Sequence, residues 1–373
     1  MTGERAVALI DAAAISDNVR TLRRAAGTAL MAVVKADGYG HGALTAARAA
    51  IRGGADQLGV AYPMEALALR DAGVDAPLLA WLWPPDEDVT AAVAAGVMLG
   101  VSSVAQLDRV RAARVGGAGI HLKVDTGLGR GGAGSADWAT LCRQVAAAER
   151  AGDVRVIGVM SHLANSEILG DESTVEQRDR LVDAVRVARE SGLTPEFVHL
   201  ANTAAALGTP DTRFDLVRCG IGIYGLDPLD PTGRRDAHGL RPAMSLRAEI
   251  ALIKRVPAGS GVSYGLTYRT ARETTLALIP VGYGDGIPRA GGSSAAVWVN
   301  GIQYRIAGRV AMDQVVIDVG DDPVQAGDEV ILFGDGRRGE PTAADWAAAC
   351  GTIDYEIVTR ISARVPRRVV TGL

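Results

Sequence analysis

The sequence has very few lysines. Only Lys35, Lys123 and Lys254 occur among 373 residues, and arginine supplies the other 36 of the 39 basic residues (39 minus 3). Chemistry on a side-chain amine therefore has three candidates. Lys35 is the best placed of them, because it ends an apolar run at 31–34 and begins a glycine-rich loop. A partly buried lysine at a strand end can lose its proton and form a Schiff base. Tyr39 would reach the same site if this loop turns into a helix.

Cysteine and long apolar runs are also scarce. Cys142, Cys219 and Cys350 are odd in number, far apart and without a C-x-x-C motif. This pattern argues against a disulfide framework and a zinc site, and it is typical of reduced thiols in the cytoplasm. No run approaches the roughly 20 apolar residues of a membrane-spanning helix, and Asp11 interrupts the first apolar run, so we expect no secretory signal. We therefore predict a cytoplasmic protein that does not enter a membrane.

Strong charge of either sign is absent as well. The formal charge is −4 and is spread along the chain, so the sequence offers no basic patch for nucleic acid. No histidine pair has metal-ligand spacing on a helix, and we expect no metal. Apolar residues make up 48% of the chain, which is enough for a large core. The length suggests two domains, or one barrel with an appendage.

Short apolar runs alternate with longer amphipathic segments through the first two-thirds of the chain. About eight strands, each followed by a helix, predict an α/β fold with a (β/α)₈ TIM-like barrel over residues 11–235. The predicted strands are 32–34, 58–60, 77–81, 98–101, 120–124, 156–160, 197–200 and 216–218, and helices include 44–52, 63–72 and 177–191.

Proline, glycine and charged residues at 226–243 interrupt this alternation. Beyond them the pattern predicts a mostly β C-terminal domain over 236–373, and the N-terminal run 6–10 could pair with either domain. Its predicted strands are 245–253, 274–279, 296–299, 302–306, 315–319 and 328–332, and only 343–349 is predicted to be helical.

Two loops near the end of the predicted barrel suit a phosphate group. Barrel active sites lie at the C-terminal ends of the strands, and the loops after strands 7 and 8 often bind phosphate. Asn202 and Thr203 can cap a helix N-terminus there, and Gly220 and Gly222 allow the backbone to approach a ligand closely. A strand-end lysine together with a phosphate site makes pyridoxal 5′-phosphate the natural cofactor candidate.

The segment Val33-Val-Lys-Ala-Asp-Gly-Tyr-Gly-His-Gly42 closely resembles the cofactor-lysine motif of the alanine racemases, which are fold-type III enzymes that depend on pyridoxal phosphate. Further matches follow in order through both predicted domains. They are Lys123-Val-Asp-Thr-Gly-Leu-Gly-Arg130, Ser161-His-Leu-Ala164, Ala201-Asn-Thr203, 218–225, Gly261-Val-Ser-Tyr-Gly265, Gly282-Tyr-Gly-Asp-Gly286, 308–314, Asp354-Tyr-Glu356 and Arg364-Val-Pro-Arg367.

The resemblance implies a two-base racemisation of alanine, which would supply D-alanine for peptidoglycan. Lys35 would hold the cofactor and act on the face that handles D-alanine, while Tyr264 would take the α-proton of L-alanine from the other face. His162 and Arg218 match residues that form a hydrogen-bonded chain to this tyrosine. The arginine matching Arg218 also faces the pyridine nitrogen in the family. Because arginine only donates, that nitrogen would stay unprotonated and the ring would be a weaker electron sink.

The resemblance also implies the binding residues. Arg130 matches a contact of the cofactor phenolate oxygen and the substrate carboxylate, and the backbone N–H of Met312 would bind the same carboxylate. Lys123 matches a lysine that is carbamylated in some relatives, and a plain solvated lysine is the equal alternative. The implied cofactor-binding residues are Lys35, Tyr39, Asn202, Thr203, Arg218, Gly220, Ile221 and Tyr355.

Other matches concern access and assembly. Tyr283, Arg289, Arg309 and Ile353 match the lining of a substrate corridor, and either Glu167 or Asp171 could be its gate carboxylate. In the family, the residues matching Tyr264 and Met312 come from a second subunit, so the resemblance implies a head-to-tail homodimer with composite sites.

Three alternatives stay open at this point. One is a racemase of wider range, and another is a fold-type III decarboxylase, which needs a C-terminal catalytic cysteine. The last is a non-catalytic carrier of pyridoxal phosphate, which would lack the second domain. His41, His121 and His238 receive no predicted role.

Overall fold

A barrel of eight parallel strands forms the first part of the molecule. The computed structural model describes residues 5–230 and 237–373, so part of the predicted break at 226–243 lies outside the described residues. A first strand, β1 (Ala6–Asp11), precedes the barrel. The barrel strands are β2 (Ala29–Val33), β3 (Gln57–Val60), β4 (Leu78–Ala80), β5 (Met98–Val101), β6 (Ala118–Lys123), β7 (Val154–Met160), β8 (Phe197–His199) and β9 (Leu216–Cys219).

The strand order β8-β7-β6-β5-β4-β3-β2-β9 confirms the predicted TIM-like fold. Every pair between neighbours in this order is parallel. The two end strands, β8 and β9, lie close together. The N–H of Asp215, just before β9, donates to the Val198 carbonyl on β8 at 3.1 Å. Just beyond β8, the N–H of Arg218 donates to the Ala201 carbonyl at 2.9 Å. The sheet is therefore nearly closed, and its C-terminal strand ends face one another.

Helices separate the barrel strands and cover their outer side. The first shows why they form where they do: Asp11 accepts from the N–H groups of Ala13 and Ala14, both at 2.9 Å, and Gly27 ends the helix with a φ of 69°. The barrel helices are α1 (Ala12–Ala26), α2 (Ala43–Arg52), α3 (Pro63–Asp71), α4 (Thr90–Ala94), α5 (Val104–Ala112), α6 (Ser135–Arg150), α7 (Glu172–Glu190) and α8 (Thr203–Gly208). No helix of the described residues is long and apolar enough to span a membrane.

The C-terminal part is built mainly of antiparallel strands. The strands are β10 (Met244–Glu249), β11 (Leu252–Val256), β12 (Gly261–Val262), β13 (Tyr268–Arg269), β14 (Thr274–Ile279), β15 (Ala296–Val299), β16 (Ile302–Arg305), β17 (Val315–Gly320), β18 (Glu329–Phe333) and β19 (Arg367–Val370). A six-stranded sheet has the order β16-β15-β18-β10-β1-β19, and β11-β14-β17 form a second sheet. The run 6–10, which could pair with either domain, belongs to this part: β1 is antiparallel to β10 and parallel to β19.

Two expectations for this part are wrong. The single strand predicted at 245–253 is two strands in different sheets, because the chain crosses between sheets in the middle of this segment. There, Ile250 donates to the Asp328 carbonyl and Ala251 to the Leu278 carbonyl. The region is also not helical at one place alone. Besides α9 (Ala343–Cys350), a six-residue helix α10 (Asp354–Thr359) follows, which is too short to show helical periodicity in the sequence.

Candidate active site

Lys35 begins a turn of left-handed helix at the C-terminal end of β2. The φ values of Ala36, Asp37, Gly38 and Tyr39 are 53°, 52°, 62° and 51°. A left-handed residue costs roughly 1–2 kcal/mol unless it is glycine, so the surroundings must hold this turn. The sequence left open whether this loop turns into a helix, and the turn that forms is left-handed. The turn still brings the Tyr39 ring within 5.9 Å of the Lys35 amine.

Side chains from neighbouring segments hold the left-handed turn. Glu65 accepts from the N–H of Ala36 at 2.7 Å, and Asp37 accepts from the N–H of Ala43 at 2.8 Å. His41 Nδ1 lies 2.9 Å and 3.1 Å from two carbonyl oxygens of the turn. A carbonyl only accepts, so this nitrogen donates. Burial lowers the pKa of His41 to about 4, which keeps the ring neutral. Sequence reasoning missed Glu65, whose signal is its place in the first turn of α3.

A cavity of about 670 Å³ opens beside Lys35, where the barrel strands end. Most predicted cofactor residues meet there. Five basic side chains and two acidic ones line the cavity, so it favours an anionic ligand. The predicted site residues in its lining are Lys35, Tyr39, Lys123, Arg130, His162, Asn202, Thr203, Arg218, Gly220, Ile221, Ile353 and Tyr355.

Both cavity lysines lie in surroundings that favour the neutral amine. Burial lowers the pKa of Lys35, the charge of Arg130 lowers it further, and Glu65 acts in the opposite direction. Burial also lowers the pKa of Lys123, which lies near the charges of Arg218 and Arg130. A neutral amine is the form that attacks a carbonyl group, so Lys35 is suited to Schiff-base chemistry.

Arg218 is buried and joins two histidines to the strand ends. One terminal nitrogen donates to the carbonyls of Ser161 and Leu200 at 2.7 and 3.0 Å. The same nitrogen lies 3.2 Å from Nδ1 of His162, and the other lies 3.1 Å from Nδ1 of His199. Burial lowers the pKa of Arg218 to about 10, so it is still charged at neutral pH.

The arginine fixes the protonation of His162. Because a guanidinium has only donors, Nδ1 of His162 accepts and its proton sits on Nε2. Burial and the charges of Arg218 and Arg130 lower the pKa of His162 to about 3. His162 is therefore neutral and has an Nε2–H with which to donate.

Tight glycines shape the predicted phosphate corner. A Cβ atom at Gly220 would lie 2.4 Å from the Tyr39 hydroxyl, and one at Gly222 would lie 2.4 Å from the Thr203 methyl. Only glycine leaves room for these contacts. Asn202 caps α8 by accepting from the N–H of Ala205 at 3.1 Å. Hydroxyl groups and backbone therefore converge on this corner, which is a donor set that suits a phosphate.

Other predicted residues lie outside this cavity. The described residues that line it do not include Tyr264, Met312, Tyr283, Arg289 or Arg309. Tyr264 is 70% exposed and Met312 is 53% exposed.

Four of these outlying residues, Tyr264, Tyr283, Arg309 and Met312, lie on adjoining segments. The Ser263 hydroxyl donates to the Arg309 carbonyl at 2.7 Å, and Gly284 donates to the Met312 carbonyl at 2.8 Å. The segment 308–312 thus joins the turn of Tyr264 to the turn of Tyr283. One exposed surface of the C-terminal part presents this group.

The two possible gate carboxylates have different surroundings. Glu167 lines the cavity, and the Tyr355 hydroxyl donates to it at 3.4 Å. Asp171 instead caps α7 by accepting from the N–H of Ser173 at 2.9 Å. Only Glu167 of the two faces the cavity.

Two residues that support Arg218 and His162 were not predicted from the sequence. His199 contacts Arg218 directly, and Gln177 on α7 holds the loop that carries His162. Its amide donates to the His162 carbonyl at 3.0 Å and accepts from the N–H of Ala164 at 2.8 Å. The signal for Gln177 is a buried polar residue on the covered face of an amphipathic helix. Cys350, the cysteine that a decarboxylase would need, does not line the cavity.

The fold and the cavity together define a class of barrel proteins in which a partly buried lysine lies beside a basic cavity. Comparison with known proteins narrows this class. Residues 10–228 match the family model "Alanine racemase, N-terminal domain", and residues 243–369 match "Alanine racemase, C-terminal domain".

Individual relatives of high sequence identity are also alanine racemases. The alanine racemase of Frankia casuarinae is 55% identical over 370 residues, covering 98% of this chain and 96% of its own. That of Thermobifida fusca is 55% identical over 372 residues, with 98% of both chains covered. The chain belongs to the alanine racemase family and is an isomerase.

Solved structures show the same likeness. The alanine racemase from D-cycloserine-producing Streptomyces lavendulae superposes with a TM-score of 0.96 at 49% identity, covering 100% of this chain and 99% of its own. The alanine racemase of Bartonella henselae, solved with covalently bound pyridoxal phosphate, has a TM-score of 0.87 at 28% identity, with 98% and 100% covered.

Proposed function

We propose that this enzyme interconverts L-alanine and D-alanine with pyridoxal 5′-phosphate as its cofactor. The observation that carries the proposal is the joint position of Lys35, Tyr39 and Arg218 in one basic cavity. Family membership supports the reaction, and the donor set of the cavity supports the cofactor. When bound, pyridoxal phosphate withdraws electrons from the amino-acid α-carbon, which makes its proton acidic.

The residues of this chain fit that cofactor. Lys35 would bind it covalently, and Arg218 would donate to its ring nitrogen and keep that nitrogen unprotonated. The phosphate would lie at the corner where Gly220 leaves room for the Tyr39 hydroxyl. The other residues of the phosphate site would be Asn202, Thr203, Ile221 and Tyr355.

Two bases would then move the α-proton on opposite faces of the substrate. The Lys35 amine acts on one face, and its lowered pKa supplies the neutral form that accepts a proton. Tyr264 acts on the other face. A free tyrosine has a pKa near 10, so its phenolate needs stabilising. The neutral His162 can donate its Nε2–H to the tyrosine oxygen and so favour the phenolate.

Substrate binding uses positive and backbone groups. Arg130 would bind the alanine carboxylate together with the backbone N–H of Met312, and Lys123 would orient Arg130 either as a carbamate or as a plain lysine. Glu167 is the better gate carboxylate, because it faces the cavity. The corridor would consist of Tyr283, Arg289, Arg309 and Ile353.

We further propose a head-to-tail homodimer. Tyr264 and Met312 are exposed on one surface and lie away from the cavity of their own chain. A partner chain could bring that surface over the cavity that holds Lys35, so each site would be composite. Each copy would contribute to both sites of the dimer.

The cellular role follows from the product. D-alanine would feed peptidoglycan synthesis. A cytoplasmic location agrees with the family and with the free state of Cys142, Cys219 and Cys350. We also propose 11–235 and 236–373 as the two domains, with β1 joining the second.

The reaction can be tested with L-alanine in D₂O. We expect loss of optical rotation, uptake of deuterium at the α-carbon and no release of CO₂. Release of CO₂, or binding of the cofactor without any turnover, would overturn the proposal. Equal rates with larger amino acids would instead indicate a racemase of wider range.

A further inference from the structure

Two histidines meet inside the barrel, behind Arg218. His121 lies on β6 and His199 ends β8, and both are fully buried. Nδ1 of His121 lies 2.8 Å from Nε2 of His199, and their rings meet edge to face. A Cβ atom at Gly158 would lie 2.5 Å from His121 Nδ1. The glycine on β7 therefore leaves the space that this ring needs.

The hydrogen bonds of the pair have one possible direction. Arg218 can only donate, so Nδ1 of His199 accepts at 3.1 Å and the His199 proton sits on Nε2. That N–H donates to Nδ1 of His121, which places the His121 proton on Nε2. Among the described residues this last nitrogen has no hydrogen-bond partner. The direction runs from the arginine through both histidines.

Both rings are neutral in this arrangement. Burial and the charge of Arg218 lower the pKa of His121 to about 3, and they lower the pKa of His199 well below its usual value. A proton on either acceptor nitrogen would break the chain and place a second charge beside Arg218. One terminal nitrogen of Arg218 donates to two backbone carbonyl groups. Among the described residues, the other terminal nitrogen has His199 as its partner.

We propose that His121 is a positioning residue for Arg218: by accepting from His199, it fixes the ring that holds the guanidinium at the cavity. This inference rests on the proposed function, because Arg218 is the residue expected to face the cofactor ring nitrogen. His121 itself does not line the cavity. Its effect would pass through one intervening histidine.

A matched pair of substitutions separates this role from simple core packing. His121→Asn keeps an acceptor oxygen near the place of Nδ1, whereas His121→Leu keeps the bulk and removes the acceptor. Substitution of the hydrogen-bond partner of a metal-bound histidine typically lowers metal affinity about 10–100-fold. We expect an effect of that order on cofactor affinity here. The leucine variant should bind pyridoxal phosphate about tenfold more weakly, whereas the asparagine variant should stay within about threefold of wild type.

Two controls keep the comparison clear. His238 contacts Asp227, far along the chain from the barrel pair, and His238→Asn should leave cofactor affinity unchanged. The kinetic constants supply a second readout: His121→Leu should lower kcat with little change in KM for alanine. Equal behaviour of the leucine and asparagine variants would overturn the proposal, because it would reduce His121 to a packing residue.

Nitrogen NMR of ¹⁵N-histidine-labelled holoenzyme tests the direction without any substitution. We expect His121 and His199 both to be neutral with their protons on Nε2. A charged ring, or a proton on Nδ1 of either, would overturn the proposal even if the leucine variant does not fold. If the wild-type enzyme shows no racemase activity, the proposed function is wrong, whereas the NMR spectra would still be as expected.

Discussion

Burial beside positive charges outweighs the nearby carboxylates and lowers the pKa of two of the three lysines. Lys35 and Lys123 share a cavity with Arg130 and Arg218, and the pKa of each lysine is lowered. Lys254 lies on β11 with its side chain exposed. The three lysines therefore include the proposed cofactor lysine, Lys35, and a natural control, Lys254.

The first prediction concerns the covalent link to the cofactor. Reduction of the holoenzyme with borohydride should add the cofactor mass to the peptide that contains Lys35. Lys35→Ala should abolish that mass and lower turnover by roughly 10²–10⁴-fold, because an acid/base group is lost as well. Lys254→Ala is the control and should keep both properties. Labelling on Lys123 in the wild type would contradict the assignment.

The second prediction concerns the opposite base. Tyr264→Phe should lower turnover of L-alanine by roughly 10²–10⁴-fold while the cofactor stays bound. Because Lys35 still acts on the other face, exchange of the α-proton of D-alanine with D₂O should persist. Proton NMR of both enantiomers in D₂O measures the difference. Undiminished conversion of L-alanine would show that Tyr264 is not the second base.

The third prediction concerns pH. His41 is buried, and its pKa falls to about 4 from about 6.5 in the unfolded chain. The unfolded state therefore binds more protons between these values, and stability is lost as the pH falls from 6.5 to 4. This one residue accounts for about 3 kcal/mol over that range. Urea unfolding should show a weaker pH dependence for His41→Phe. An unchanged dependence would contradict a neutral, buried His41.

Among the elements, the left-handed turn Lys35–Tyr39 carries the site. Its conformation depends on contacts with residues far along the chain, such as the Glu65 carboxylate. Gly40, which follows the turn, has a φ of 81°, and a Cβ there would lie 2.3 Å from the Val358 carbonyl on α10. The turn and the short helix α10, which carries Tyr355, therefore fit each other closely.

The fourth prediction uses two glycines with similar φ values. Gly73 has a φ of 77° with nothing within 4 Å of an added Cβ. Gly73→Ala should cost about 1–2 kcal/mol from backbone strain alone. Gly40→Ala should cost more and weaken pyridoxal phosphate binding, because α10 must shift. Denaturant unfolding and cofactor titration measure both effects. Equal losses for the two variants would show that the contact with α10 is unimportant.

The sequence predicts some of these elements better than others. Strands β5, β14 and β15 have the predicted bounds, because each is an apolar run between clear breaks. The handedness of the Lys35 turn and the sheet change at residues 250–251 depend on contacts between distant segments. Periodicity within a short window cannot show such contacts.

The site also contains some residues that local sequence motifs predict and others that only contacts between distant segments bring together. The motifs alone predict that Lys35, Arg218 and the phosphate corner lie near one another. The partnership of His121 with His199 was not predicted, because the two residues are 78 positions apart and neither stands in a motif of its own. Strand pairing around the barrel brings them together.

At the scale of the whole molecule, the central claim is that one site takes Lys35 from one chain and Tyr264 from another. The cavity contains the first residue, and the second is exposed elsewhere on the same chain. A monomer would then hold every cofactor-binding residue proposed above and lack its second base. Dilution below the dimer dissociation range should therefore lower activity more than cofactor content.

A mixed dimer tests this claim most directly. Chains with Lys35→Ala and Tyr264→Phe, each nearly inactive alone, are expressed together with different tags, and the dimer that carries both tags is isolated. A composite dimer contains one site with both natural residues, so its activity should recover to about half of wild type. If each site instead takes both residues from one chain, no intact site forms, and the mixed dimer stays as inactive as its parents.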